Sequence, residues 1–207
     1  MKFKLLKVAV FLAALIPLAR LGLKGYQGNL GANPIEVITH STGDWTIIFL
    51  LITLSITPLR RITGWQSWIK FRRMLGLYAF FYGMLHFTTW IWLDKFFDLH
   101  EMAADLTKRR FIMMGMTGLL LMLPLAITST KGWIRRLGKR WQKLHKLIYA
   151  SATAGVIHYY WLVKADVTKP LIYASILVTL FGIRALIARR KAAPKPAAAI
   201  SRAVAAD

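Results

Sequence analysis

The chain contains no cysteine. That excludes covalently attached c-type haem, thiolate-held iron–sulfur clusters and a disulfide framework. Any bound metal must therefore be held by histidine, methionine or carboxylate. Acidic residues are also scarce, eight against 29 lysines and arginines in 207 residues. A phosphate-cradling glycine loop is missing too. Gly25, Gly28 and Gly31 are spaced for turns and follow no strand, so a nucleotide-binding fingerprint is not present there.

What the chain has in quantity is apolar sequence, 57% of its residues. It falls into six blocks, 5–23, 44–60, 74–93, 111–129, 145–163 and 170–188, each near the roughly 20 residues needed to cross a bilayer. Thr and Ser interrupt the second block, and their hydroxyls can bond back to the helix backbone. The pattern predicts an all-α membrane protein, a bundle of six transmembrane helices. The net charge of +21 invites a nucleic-acid reading, but its distribution reports topology instead. Lys2, Lys4 and Lys7, then Arg60, Arg61, Lys70, Arg72 and Arg73, then the 131–146 loop and the segment from Arg184 all fall on one side of such a bundle. Glu36, Asp44, Asp94, Asp98, Glu101, Asp105 and Asp166 fall on the other. Basic loops face the cytoplasm, so both termini are expected there, in a bacterial inner (plasma) membrane, with no nucleic-acid partner.

Met1 to Lys7 is basic and an apolar stretch follows, but no small-residue cleavage site does, which predicts an uncleaved first helix. The polar outer connection 94–110 is expected to contain a short helix through Asp98–Leu106. The basic inner loops carry Trp65 and Trp68, and Trp133 and Trp141, aromatics that suit the membrane interface. One membrane domain, 1–190, is expected, followed by a disordered cytoplasmic tail, 191–207, rich in Ala, Pro and Lys. No internal repeat is read in the sequence.

Five histidines occur, and ionisable groups inside spans usually mark function. His86 in the third block and His158 in the fifth lie at comparable depth, toward the end opposite the basic loops. Two facing imidazoles are what a six-coordinate b-type haem requires, and Gly83, Ala150, Ala152, Ala154 and Gly155 offer room for the macrocycle. The plainer alternative is that each histidine bonds a neighbouring helix. On a continuous helix His145 would lie roughly 20 Å from His158 and some 140° away around the axis. The third block offers Arg72 or Arg73, not histidine, at that level, so a second bis-histidine site is not supported. His40 and His100 read as exposed or capping residues. Arg72 and Arg73 read either as inside-positive residues or as an anion site for a phosphate-bearing cofactor such as flavin mononucleotide, FMN.

An ordered set of short motifs resembles one family. It comprises Gly31-Ala32-Asn33-Pro34-Ile35-Glu36, His40-Ser41-Thr42-Gly43, Ile56-Thr57-Pro58-Leu59-Arg60, Arg72-Arg73-Met74-Leu75-Gly76-Leu77 with Leu85-His86, Leu137-Gly138-Lys139-Arg140-Trp141-Gln142-Lys143-Leu144-His145, and His158-Tyr159-Tyr160-Trp161-Leu162-Val163-Lys164. Over about residues 5–190 these resemble the MsrQ (YedZ) family, haem-binding membrane subunits of the bacterial MsrPQ methionine sulfoxide reductase system. The resemblance implies a ferric-reductase-like transmembrane domain with haem b held by His86, His145 and His158, and an associated FMN that favours the anion-site reading of Arg72 and Arg73. It further implies electron transfer from the quinone pool or a cytoplasmic flavin reductase to a periplasmic molybdenum-containing reductase, MsrP, which itself reduces methionine sulfoxide in oxidised periplasmic proteins. The wider ferric reductase group uses two histidine pairs, and this chain lacks the first member of one pair on the third block. Two other classes remain open at this stage, a membrane transporter with His86 and His158 as a proton relay, and a non-redox membrane anchor.

Overall fold

The computed structural model describes residues 2–192, and among them helices follow one another without a strand. They are α1 (Lys2–Tyr26), α2 (Pro34–Thr63), α3 (Ile69–Thr88), α4 (Leu99–Lys108), α5 (Arg110–Ile127), α6 (Lys131–Leu137), α7 (Lys139–Leu144), α8 (Leu147–Leu162) and α9 (Thr168–Ala192). A 3-10 turn, Gln66–Trp68, precedes α3, and a π-helical turn, Thr89–Asp94, prolongs it. The expected tail lies, from residue 193 onward, outside the described residues.

Local chemistry sets the helix ends. Asn33 caps α2, accepting from the Glu36 backbone N–H at 3.3 Å and donating to its carboxylate at 3.0 Å, and Pro34 fits the first turn because its missing N–H would be unpaired there anyway. Gly64, at φ 72, closes α2 in the left-handed conformation that costs glycine least. The expected short outer helix is α4. Its cap is Asp98, which accepts from the backbone N–H groups of His100 and Glu101 at 2.9 and 3.0 Å.

Helix α2 is the hub. One side joins Phe49, Leu50 and Ile56 to Phe71, Leu75, Tyr78 and Tyr82 of α3 and to Ala14 of α1. The other joins Ile47, Leu51 and Leu54 to Ala152, Val156 and Tyr159 of α8 and to Leu177 and Leu180 of α9. The most extensive pairings are α2 with α3 and α5 with α8. At one end of the bundle sit the start of α2, the end of α3, the start of α5 and the end of α8. This is the acidic end, carrying Glu36, Asp44, Asp94 and Asp105; the opposite, basic end carries Arg60, Arg61, Arg72 and Arg73.

In lipid, apolar contact alone gives little reason for helices to associate, so packing and interhelical hydrogen bonds must do it. Helix α1 shows this. Tyr78 and Tyr82 of α3 donate to the carbonyls of Phe11 and Ala14, each at 2.9 Å, and Phe11 packs its ring on Tyr78 at 5.5 Å. Tyr82→Phe is expected to lower stability by about 0.5–2 kcal/mol. A thermal melt of the detergent-solubilised protein checks it, and the tyrosine substitution at Tyr78 should act in the same direction.

Four helices are long and apolar enough to cross a membrane: Phe3–Tyr26, Pro34–Thr63, Arg110–Ile127 and Thr168–Arg190. The two other expected spans, 74–93 and 145–163, correspond to α3 with its π turn and to α8. Helix α3 carries Lys70, Arg72 and Arg73 near its start, and α8 has only 16 residues, about 24 Å. These are the two helices that bear His86 and His158.

Candidate functional site

Between the α2–α3 pair and the α5–α8 pair lies a cavity of about 510 Å³, lined by residues of all four helices and open toward the acidic end. His86 and His158 both line it. Their ring centres are 6.0 Å apart and their planes lie at 76°. Two imidazole nitrogens bound to one iron, each at about 2.0–2.1 Å, stand about 4 Å from one another, which places ring centres about 6 Å apart. The spacing therefore fits a metal held between the two rings.

Each ring is aimed by a backbone carbonyl of its partner helix. Nδ1 of His86 lies 3.0 Å from the Thr39 carbonyl oxygen and Nδ1 of His158 lies 2.6 Å from that of Phe111. A carbonyl can only accept, so each Nδ1 carries the proton and each Nε2 is left with its lone pair. A carbonyl that accepts from the far ring nitrogen in this way fixes the orientation and tautomer of a metal-binding histidine. The alternative that each histidine simply bonds a neighbouring helix is thus half right: the bonds exist, and they free the other nitrogen. No group of three or more His, Cys, Asp or Glu that could hold a metal ion exists among the described residues, which leaves a site needing only two protein ligands.

Two glycines that sequence reasoning passed over make room for the rings. A Cβ on Gly43 would lie 3.1 Å from the His86 ring, and one on Gly115 would lie 2.7 Å from Nδ1 of His158. The correspondence is systematic. The same number of positions separates Thr39 from Phe111, Gly43 from Gly115, Gly83 from Gly155 and His86 from His158. In both halves the bonded carbonyl and its histidine are 47 positions apart. The helix pairs α2–α3 and α5–α8 are therefore two copies of one histidine-holding unit, which corrects the reading that the sequence has no repeat. Of the small residues singled out in the sequence, Gly83 and Gly155 line the cavity, Ala152 and Ala154 are buried in the packing, and Ala150 is exposed.

The remaining candidates stand elsewhere. The chain turns at His145 and Lys146, between α7 and α8, so His145 is not on the His158 helix and the helical arithmetic does not apply to it. Its ring stacks on Trp141 at 3.8 Å, Nδ1 lies 3.1 Å from the Trp141 carbonyl oxygen, and Nε2 is buried without a partner among the described residues. Arg72 is half-buried, close enough for charge interaction with both His145 and Arg184, whereas Arg73 is exposed. None of His145, Arg72 and Arg73 lines the cavity between the two helix pairs. His40 is exposed at the cavity mouth, 3.8 Å from Glu36, and His100 is exposed on α4.

A charge clasp closes the acidic end beside the cavity. The Lys95 side chain is only 10% exposed, and its Nζ reaches Asp105 at 2.9 Å, Glu101 at 3.3 Å and Asp94 at 3.9 Å. Beyond it Phe96 and Phe97 adopt φ 47 and 62, a strained left-handed pair for residues with a Cβ. The hydrogen bond to Asp105 is the main reason the Lys95 ammonium titrates above its usual range, assisted by Glu101 and Asp94. A raised lysine pKa gives stability that is complete below the unfolded-state value and is lost as pH rises through the folded-state value. At neutral pH the clasp is intact, and Lys95→Met should release it. The expected result is roughly tenfold or greater acceleration of tryptic cleavage near Lys108, Arg109 and Arg110, with the α2–α3 core unaffected.

Similarity to known proteins covers most of the chain. Residues 42–156 match the family described as ferric reductase like transmembrane component. A protein of Herminiimonas arsenicoxydans is 52% identical over 190 residues, covering 90% of this chain and 87% of its own. One from Rhodospirillum rubrum is 50% identical over 186 residues, 89% of each chain. One from Xanthomonas campestris pv. campestris is 48% identical over 204 residues, 92% of this chain and 94% of its own. Each of the three bears the name protein-methionine-sulfoxide reductase heme-binding subunit MsrQ.

Proposed function

This chain belongs to the ferric-reductase-like transmembrane family and, within it, to the MsrQ heme-binding subunits, and from that premise we propose that it carries electrons across a bacterial inner membrane through haem b held by His86 and His158. The observation that carries the reading is the ring pair itself: 6.0 Å between centres, with each Nδ1 satisfied by a carbonyl and each Nε2 left open. Haem supplies one-electron carrier chemistry when bound there. The chain's own residues do the rest. His86 and His158 ligate, the Thr39 and Phe111 carbonyls hold the ring tautomers, Gly43 and Gly115 admit the rings, and Leu50, Leu119 and Met122 give the deep end an apolar lining.

The bundle then has six spans, α3 and α8 being its two polar-bearing inner members within a membrane domain of residues 1–190. The basic end and both termini face the cytoplasm, and the acidic end with the cavity mouth faces the periplasm. The cavity mouth and the clasp together offer a periplasmic, molybdenum-containing MsrP-type reductase its contact surface. Sulfoxide reduction takes place on that partner. The donor is the quinone pool or a cytoplasmic flavin reductase, with an FMN near Arg72, Arg73 and His145 at the basic end. The half-buried cation of Arg72 and the unpartnered Nε2 of His145 support that placement. Cofactor quantitation tests both halves. Haem and FMN are expected in the purified protein, with FMN falling in an Arg72→Ala/Arg73→Ala double variant that retains haem. A protein expressed with ample haem that shows no reduced-minus-oxidised haem signal would return the transporter or anchor reading to favour.

A further inference from the structure

Haem carries two carboxylates on one edge, and burying them unpaired in apolar surroundings is costly. The cavity offers them one direction. Leu50, Leu119 and Met122 line its deep end, while Asn33, Glu36, His40, Asp44, Asp94 and Arg109 line its mouth. Among the described residues lining the cavity, Arg109 is the single lysine or arginine. The acids at the mouth have partners of their own, so they do not consume it. Asp44 pairs with Lys169 at 3.3 Å, Asp94 with Lys95 at 3.9 Å, and Glu36 bonds Asn33 at 3.0 Å with His40 at 3.8 Å.

Arg109 is also held in place. It is the extended residue, φ −109 and ψ 95, that joins α4 to α5. Its backbone N–H donates to the Asp105 carbonyl at 2.9 Å, and its Nε pairs with the Asp105 carboxylate at 3.0 Å. Asp105 is in turn fixed by Lys95. Only the Nε of the guanidinium is engaged in that pair, and the two terminal nitrogens retain the fork geometry that suits a carboxylate. Two residues further on, the Phe111 carbonyl orients His158, so one short segment would position both a ligand and an anchor.

We propose that Arg109, braced by Asp105 and Lys95, is the carboxylate-binding subsite of the cavity and holds the propionate edge of haem toward the mouth. The inference rests on the haem reading above. It places the cofactor's polar edge at the acidic end, the surface from which electrons leave.

The test is titration of haem-free protein with haem b and with its dimethyl ester, in the wild type and in Arg109→Gln and Arg109→Lys, following the bis-imidazole absorption. A charge-assisted pair predicts that the wild type prefers the free acid by about 10- to 100-fold. Arg109→Gln should bring that preference close to unity while binding the ester as the wild type does, and Arg109→Lys should keep part of it. Equal affinity of the wild type for acid and ester overturns the proposal, and that arm needs no variant. So does an unchanged acid-to-ester ratio in Arg109→Gln. A wild type that binds neither compound overturns the haem reading itself, and the anchor with it.

Discussion

His86→Ala and His158→Ala are each expected to abolish the low-spin bis-imidazole absorption of the protein. The effect should exceed the roughly 10- to 100-fold that loss of a supporting outer-shell partner typically costs at a metal site. The reason is the symmetry of the pair. With the rings at 6.0 Å and each Nδ1 committed to a carbonyl, neither histidine can substitute for the other. His40, the other histidine at the cavity, lies exposed at its mouth beside Glu36. His145 is held apart, stacked on Trp141 between α7 and α8. His145→Ala should therefore leave this spectrum in place. Loss of it there, or its survival in either of the other two variants, would show that the ligand pair is misassigned.

Gly115→Ala should come close to the ligand variants in effect, although it deletes no functional group. The added methyl would stand 2.7 Å from Nδ1 of His158. The ring cannot retreat without giving up its 2.6 Å bond to the Phe111 carbonyl. Overpacking of this kind costs about 1–3 kcal/mol. Because the strain falls on the ligand itself, haem retention should drop about tenfold or more. Gly43→Ala, with 3.1 Å to the His86 ring, should show a smaller loss in the same direction. Gly76→Ala is the control, since Gly76 does not line the cavity and its methyl would meet Thr53 at an ordinary 3.5 Å. Haem per polypeptide in the three variants orders them, and wild-type retention in Gly115→Ala would contradict the account of how the ring is seated.

The histidine pair was legible in the sequence because an ionisable group inside an apolar run is costly enough to stand out. The glycines were not, since glycine in a membrane helix serves close helix approach of any kind. Their signal was the register they share with the histidines, equal separations from Gly43 to Gly115 and from His86 to His158, which apolar periodicity does not display. His145 misled the helical arithmetic because the chain turns just where the apolar block begins, between Leu144 and Leu147. The Lys95 clasp could not be foreseen. A lysine amid Asp94, Asp98 and Glu101 reads as solvated, and its burial depends on the π turn and the left-handed pair that follow from tertiary packing. Block hydropathy marked the long helices among the described residues but did not distinguish α3 and α8, whose polar residues or short length set them apart from the four that are both long and apolar.

The most direct test of a haem held between His86 and His158 is low-temperature electron paramagnetic resonance of the oxidised protein. Two imidazole ligands predict low-spin ferric iron, and ring planes at 76° predict the strongly anisotropic form of that signal rather than the rhombic form given by parallel rings. A ferric signal that is purely high-spin would mean that at least one of the two histidines does not bind the iron, and would contradict the account.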